Sequence, residues 1–308
     1  MKDPLKITVI GCGNANSYVN GNMSLLLTAS DGETFLIDCG CRTPVSLHQA
    51  GIAPKAINNI YVSHPHGDHV GGLEEIALQR YNWRDKPQRY NDDPNNPYAI
   101  KLFGNEELLR DLWEHTLSGG LKTIEGVSAE LETLFEPIPI SKNEAFSWKG
   151  WDFELIQQIH VMVGTVIMPS YGLFMSYRNA GVLNDVNREH RKVFFTTDCQ
   201  WHQPKQIERF YHDADIVIQD CECLGCNTKD RSYTFGSGVH STYAEIAGWE
   251  SANARRASAP DKKKIYLGHY QDFVSAGKDA FGNQCNWDAL AEADGLAGFL
   301  KVGQEFLV

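Results

Sequence analysis

Short stretches rich in β-branched and aromatic side chains occupy residues 6–10, 23–29, 34–38, 58–63, 101–103, 151–160, 171–177, 192–196, 215–219 and 265–267. Such stretches predict strands. Stretches that mix apolar and polar positions predict helices over 44–50, 73–80, 106–116, 242–257 and 287–297. Thr242 and Glu245 stand at capping-box spacing at the head of the fourth of these helices. The turn Ser30-Asp31-Gly32-Glu33 carries the Asp-Gly signal of a hairpin between the second and third strands. Strands and helices alternate, and polar groups recur where strands end. That pattern predicts α/β layers with functional groups on loops at one edge of the sheets. Residues 81–98 break the pattern with Asn, Asp, Pro and four aromatic residues. This segment reads as an insertion loop in a single domain spanning 1–308, either surface decoration or a lid or dimer contact.

One strand end stands apart from the others. Ser63-His64-Pro65-His66-Gly67-Asp68-His69 places three imidazoles and a carboxylate in six consecutive positions, directly after an apolar run. No packing argument needs that density of ligand-capable groups, whereas two divalent ions side by side do. In an extended or tightly turning segment His64 and His66 share one side, while Asp68 and His69 lie past a glycine and reach toward a second ion. Three later strand ends repeat the context of an apolar run followed by a ligand: His160, Asp198 and His269.

Composition narrows the partners. The formal net charge is −11, and the compact basic clusters are Arg255-Arg256 and Lys262-Lys263-Lys264. Both read as a solvated helix face and its following turn, so a long nucleic acid gripped through its phosphates is not expected. No apolar signal core opens the chain and no stretch reaches the length of a membrane span, which leads to the expectation of a cytoplasmic protein with reduced thiols. Cys221, Cys223 and Cys226 form a C-x-C-x-x-C without a second paired half, and half-buried packing residues are the reading preferred over a zinc site. Gly11-Cys12-Gly13 only faintly follows a dinucleotide-binding fingerprint, since the third glycine is absent.

The order H-x-H-x-D-H, His, Asp, His resembles the metallo-β-lactamase fold superfamily. The resemblance implies a four-layer αβ/βα sandwich with a dinuclear metal site at the sheet edge. It implies that His64, His66 and His160 hold one ion, that Asp68, His69 and His269 hold the other, and that Asp198 bridges them. Zn²⁺ suits the ligand set, and Mn²⁺ is the alternative. Gly11-Cys12-Gly13-Asn14-Ala15-Asn16-Ser17, the strand ending Asp38-Cys39-Gly40 and Gly238-Val239-His240-Ser241-Thr242 resemble the phosphodiesterase branch that contains ribonuclease Z. In that branch a His-Glu-Ala-Thr strand end supplies the acid that orients the later histidine. Here Gln219 and Asp220 occupy the matching positions, and the long basic arm that grips tRNA is not evident.

A related group with the same core opens cyclic nucleotides and includes phage enzymes directed against bacterial Pycsar defence. An acidic chain with an aromatic insertion suits a small planar substrate, so the favoured expectation is hydrolysis of 3′,5′-cyclic mononucleotides to 5′-nucleotides, in the host cytoplasm if the chain is phage-encoded. By this resemblance Asp68 orients the attacking water, His240 protonates the departing oxygen, Asp220 holds the His240 imidazole, and a homodimer is expected. Ribonuclease Z-like RNA 3′-processing and lactone or thioester hydrolysis are the alternatives. Tyr81, Trp83, Tyr90, Tyr98, Tyr233 and Phe235 are candidates for base stacking or for packing.

Overall fold

A computed structural model describes residues 5–82, 99–141, 144–177, 192–201, 205–234, 236–249 and 261–308. The chain divides into two compact units. The first comprises Met1–Gly11, Gly21–Lys142 and Glu305–Leu307, and the second comprises Cys12–Asn20, Asn143–Gln304 and Val308.

The first unit is built on a seven-stranded sheet in the order Glu305–Leu307, Lys6–Gly11, Ser24–Thr28, Thr34–Ile37, Asn59–Tyr61, Ile100–Asn105, Phe135–Ile140. Pairing is antiparallel as far as Thr34–Ile37 and parallel beyond it. Thr34–Ile37 and Asn59–Tyr61 are buried at every position, as strands covered on both faces must be. Leu36, Ile60 and Leu102 pack with Leu73, Ile76 and Ala77 of the helix Leu73–Asn82 into one core. Phe135–Ile140 was not predicted because Pro137 and Pro139 interrupt it; it is an edge strand, where missing N–H donors are tolerated.

The second unit repeats the design with the sheet order Gly298–Phe299, Ile265–Gly268, Ile216–Asp220, Lys192–Phe195, Val166–Tyr177, Trp151–Val163, Ala145–Trp148. The first four strands are mutually parallel and the rest antiparallel. The expected strand 151–160 runs on to Val163, and its partner begins at Val166 rather than 171, so the two form one long hairpin closed at Gly164. Its outer end carries exposed Met162, Val163, Val166 and Ile167, and no Asp, Glu, Lys or Arg occurs between Gln157 and Tyr177.

Two other expectations change. Helix Leu73–Asn82 absorbs the start of the expected insertion: Tyr81 is buried and its hydroxyl donates to the Glu125 carbonyl at 3.2 Å. Residues 83–98, with Trp83, Tyr90 and Tyr98, lie outside the described residues, as do Phe235, Arg255 and Arg256. The Lys262–Lys264 turn is not simply solvated. Lys262 Nζ donates to the Ala247 carbonyl at 2.9 Å, and Lys264 Nζ donates to the His212 and Ala214 carbonyls, so two of the three cations satisfy part-buried acceptors at helix ends. Among the described residues no helix is long and apolar enough to cross a membrane.

Candidate metal centre and its hydrogen-bonded surround

In the first unit the strand Asn59–Tyr61 delivers Ser63 and His64 at its carboxyl end, where ligands of parallel sheets gather. The motif is not extended throughout. His66 is the N-cap of a one-turn helix, Gly67–Val70, which turns Asp68 and His69 inward. His64 Nε2 lies 3.2 Å from His66 Nδ1, and His69 Nε2 lies 3.4 Å from Asp68 Oδ2. Two donors on one tetrahedral ion, each about 2.1 Å from it, stand roughly 3.4 Å apart. The spacing therefore fits shared coordination.

Asp38 organises this half-set. Its backbone is left-handed (φ 59°), and its carboxylate accepts from the Ser63 N–H and Ser63 hydroxyl, each at 2.8 Å. The same carboxylate meets His69 Nδ1 at 2.8 Å. An imidazole that gives its Nδ1 proton to a carboxylate presents Nε2 as a ligand. Segment 39–41 is stitched to the helical turn by Cys39 N–H to the His69 carbonyl at 2.7 Å and Cys41 N–H to the Gly67 carbonyl at 3.1 Å. Gly40 is required there, since a Cβ would stand 2.0 Å from the Asp68 carbonyl oxygen.

In the second unit the parallel strands again end in polar groups: Thr196, Thr197 and Asp198 after Lys192–Phe195, Asp220 at the end of Ile216–Asp220, and His269 after Ile265–Gly268. Thr197 (φ 53°) and His269 (φ 61°) are left-handed, as Asp38 is. Such strain persists only where the surroundings over-determine it. At His269 the N–H donates to the Cys12 carbonyl at 2.8 Å. His160 does not end its strand, as the sequence suggested. It is the extra residue where the register slips between Ile159 and Val161, and the bulge re-aims its side chain.

These side chains converge on Asp198, whose Oδ2 lies 3.7 Å from His160 Nε2 and 3.3 Å from His269 Nε2. One carboxylate oxygen near two imidazoles has the placement of a shared ligand. His160 Nδ1 donates to the Val239 carbonyl at 2.9 Å, and His269 Nδ1 stands 3.3 Å from Asp220 Oδ1. Asp220 Oδ2 meets His240 Nδ1 at 3.0 Å and accepts the Cys199 N–H at 2.9 Å. Donor atoms of Asp198, Asp220, His240 and His269 all lie within 4.8 Å of one another. Burial works against charging His240, but the Asp220 carboxylate beside it outweighs that and holds its pKa above the ordinary histidine value. Burial likewise raises Asp220, and the charge and hydrogen bond of His240 outweigh it and hold Asp220 below the usual carboxylate range. For His160 burial prevails and lowers the pKa, which favours a neutral imidazole.

The first unit thus brings together His64, His66, Asp68 and His69, and the second brings together His160, Asp198 and His269 with Asp220 and His240. The imidazole and carboxylate donors fit divalent ions of the borderline and hard kinds. Sequence reasoning missed Asp38 as a site residue, although an apolar strand followed by a carboxylate is the same signal that identified Asp198. Cys221, Cys223 and Cys226 are fully rather than half buried, and burial pushes the Cys221 thiol far up. The close donor groups among the described residues are made of His and Asp alone.

Comparison with known proteins places this geometry. The family model described as "Anti-Pycsar protein Apyc1" matches residues 5–286. The chain is 37% identical over 275 residues to an Anti-Pycsar protein Apyc1 of Saccharibacillus brassicae, covering 87% of this chain and 90% of that protein. It is 27% identical over 274 residues to one of Bacillus phage vB_BsuM-Goe3, covering 89% and 92%. Among solved structures it is similar to the metallo-beta-lactamase fold protein YhfI from Bacillus subtilis, with a TM-score of 0.64, 15% identity and full coverage of both chains. The fold is therefore that of the metallo-β-lactamases, as the sequence motifs implied.

Proposed function

The chain belongs to the Anti-Pycsar protein Apyc1 family, and from that premise we propose that it is a metal-dependent phosphodiesterase that opens 3′,5′-cyclic mononucleotides to 5′-nucleotides. One observation carries the reading: the Asp220 carboxylate serves two imidazoles at once, with Oδ1 at His269 Nδ1 and Oδ2 at His240 Nδ1. A thioester releases a thiolate, which needs no proton, whereas a phosphodiester must release an alkoxide and gains from a carboxylate-held imidazole beside the ligands. A lactone also releases an alkoxide, and the substrate panel below separates it.

In this reading His64, His66 and His160 would hold one divalent ion, Asp68, His69 and His269 would hold the other, and Asp198 would serve both. Bound ions, Zn²⁺ by the histidine-rich donor set, would supply Lewis-acid charge toward the phosphate oxygens and make water acidic enough to attack near neutral pH. Asp68 orients the attacking water and takes its proton. His69 is held by Asp38, and His160 by the Val239 carbonyl, so neither turns away. With Nδ1 engaged by Asp220, His240 has Nε2 available to donate a proton to the 3′ oxygen as the P–O3′ bond breaks. The water oxygen stays on phosphorus, the 3′ hydroxyl is regenerated, and the product is the 5′-nucleotide.

A homodimer belongs to the same proposal. In a chain of net charge −11, the uncharged hairpin end with exposed Val163 and Val166 is a surface where two copies meet without repulsion. The proposed place of action is the cytoplasm of the cell in which the chain is made, a host cell if it is phage-encoded.

The test is a panel of substrates: 3′,5′-cyclic purine and pyrimidine mononucleotides, a precursor tRNA and a generic lactone, each incubated with zinc-loaded protein and resolved by chromatography. Ring opening without tRNA cleavage supports the proposal, and inert cyclic nucleotides overturn it. His240→Ala is expected to lower turnover by roughly 10²–10⁴-fold with metal content unchanged by elemental analysis. Loss of metal in that variant shows instead that His240 is a ligand.

A further inference from the structure

Gln219 stands where the ribonuclease Z branch has histidine, one residue before Asp220, and its amide is bound at both ends. Tyr211, on the helix Lys205–Asp213, donates its hydroxyl to Gln219 Oε1 at 2.6 Å. The Tyr211 ring is walled by Phe194 and Trp249, each edge-on with centroids 5.1 Å away. Burial pushes the Tyr211 hydroxyl well above the ordinary tyrosine range, so it remains an O–H donor. An oxygen at that end of the amide turns the Gln219 nitrogen the other way. Nε2 donates to Ser241 Oγ at 3.1 Å and to the Asp220 carbonyl at 3.0 Å. Ser241 Oγ in turn donates to the Cys199 carbonyl at 2.9 Å. The Cys199 N–H then donates to Asp220 Oδ2, the oxygen that meets His240 Nδ1.

Each donor along Tyr211, Gln219 and Ser241 thus hands on in one direction, and the chain closes on the Asp220–His240 pair. All three side chains are buried, and a buried network of this kind specifies a unique arrangement only while every member is satisfied. Ser241 follows His240 directly, so pinning its hydroxyl pins the segment that carries the imidazole. We propose that Tyr211, Gln219 and Ser241 form a positioning relay that sets the orientation of His240, and with it the chemical step rather than substrate binding. This inference rests on the proton-donor reading of His240.

Tyr211→Phe is the informative variant, because it keeps the ring packing and removes only the first donor. Turnover is expected to fall about tenfold, with KM and metal content near those of the parent and a thermal midpoint only a few degrees lower, the cost of stranding one buried acceptor. In a His240→Ala background the same substitution is expected to change residual turnover by less than about twofold, since the group being positioned is gone. An equal loss in both backgrounds, or a raised KM with turnover intact, overturns the relay.

A second measurement does not depend on activity. In ¹⁵N-histidine-labelled protein the His240 Nδ1–H resonance, identified by its absence from His240→Ala, is expected to shift in Tyr211→Phe and Ser241→Ala while the other imidazoles stay in place. If no phosphodiester is hydrolysed, the proposed reaction fails and this spectrum alone decides the relay; an unmoved resonance overturns it. Should Ser241→Ala not fold, the Tyr211→Phe spectrum still decides between the two outcomes.

Discussion

The two units gather similar donor side chains by opposite routes. In the first, His64, His66, Asp68 and His69 lie within six residues, and one strand end with one helical turn presents all of them. In the second, His160, Asp198, Asp220, His240 and His269 span more than a hundred residues and come from a bulge, three strand ends and a loop. A contiguous set depends on local backbone geometry, chiefly the glycines and the Asp38 brace. A dispersed set depends on strand register and on hydrogen bonds between distant residues. The first is therefore vulnerable to backbone substitutions, the second to the loss of a shared partner.

Breaking the dispersed set at its centre is expected to have the largest effect. Asp198→Ala removes the oxygen near both His160 and His269. Metal content by elemental analysis, and turnover, are expected to fall by more than the roughly 10–100-fold typical of losing an outer partner. His66→Ala, which strips one donor from the contiguous set, is the comparison, and a larger metal loss there reverses the contrast. Next is Asp38→Ala, which leaves all the proposed ligands present but frees the far side of His69. Zinc affinity by chelator competition is expected to weaken about 10–100-fold, with folding retained.

Gly40→Ala tests the backbone dependence directly. Its Cβ would collide with the Asp68 carbonyl, so thermal unfolding is expected to register a loss of about 1–3 kcal/mol, together with weaker zinc binding. An unchanged midpoint shows that the turn yields without cost.

The smallest effect lies away from the ligands. Asp279 is buried, which alone would raise its pKa, but hydrogen bonds from the Asn283 side chain and from the Asn283, Thr228 and Phe281 N–H groups outweigh this and hold it at about 2. A depressed carboxylate contributes stability that is complete above its unfolded value, roughly 3.9, and that drains away as pH falls toward the folded value. The urea midpoint of Asp279→Asn is thus expected to lie below that of the parent at pH 5, with the gap closing between about pH 4 and pH 2. A gap independent of pH rules out the carboxylate's charge as the cause.

Legibility followed the same division. The contiguous motif, the hairpin at Asp31-Gly32 and the strands of both sheets that carry the proposed ligands could be read from local pattern, because β-branched runs and donor density are properties of neighbouring residues. Phe135–Ile140 escaped because its prolines contradict a strand everywhere except at an edge, and the edge is a fact of sheet order. His160 was read as a strand end because a bulge is a relation between two strands, invisible in either one alone. Asp38 carried a usable signal that was not applied to it.

The sequence by itself determined the donor types, their association with strand ends and the family to which they belong, since these are matters of residue identity and short-range order. Apart from the Asp220–His240 pair, which the resemblance implied, only the tertiary structure decided which partner each imidazole takes on its other nitrogen. His69 finds Asp38 from 31 residues away, and His160 finds the Val239 carbonyl from 79. Those partners set the tautomer and hence the face offered to a metal. Asp220, reached by both His269 and His240, couples the ligands to the proposed proton donor. No local pattern contains that coupling, because it exists only when two strand ends and a loop meet at one carboxylate.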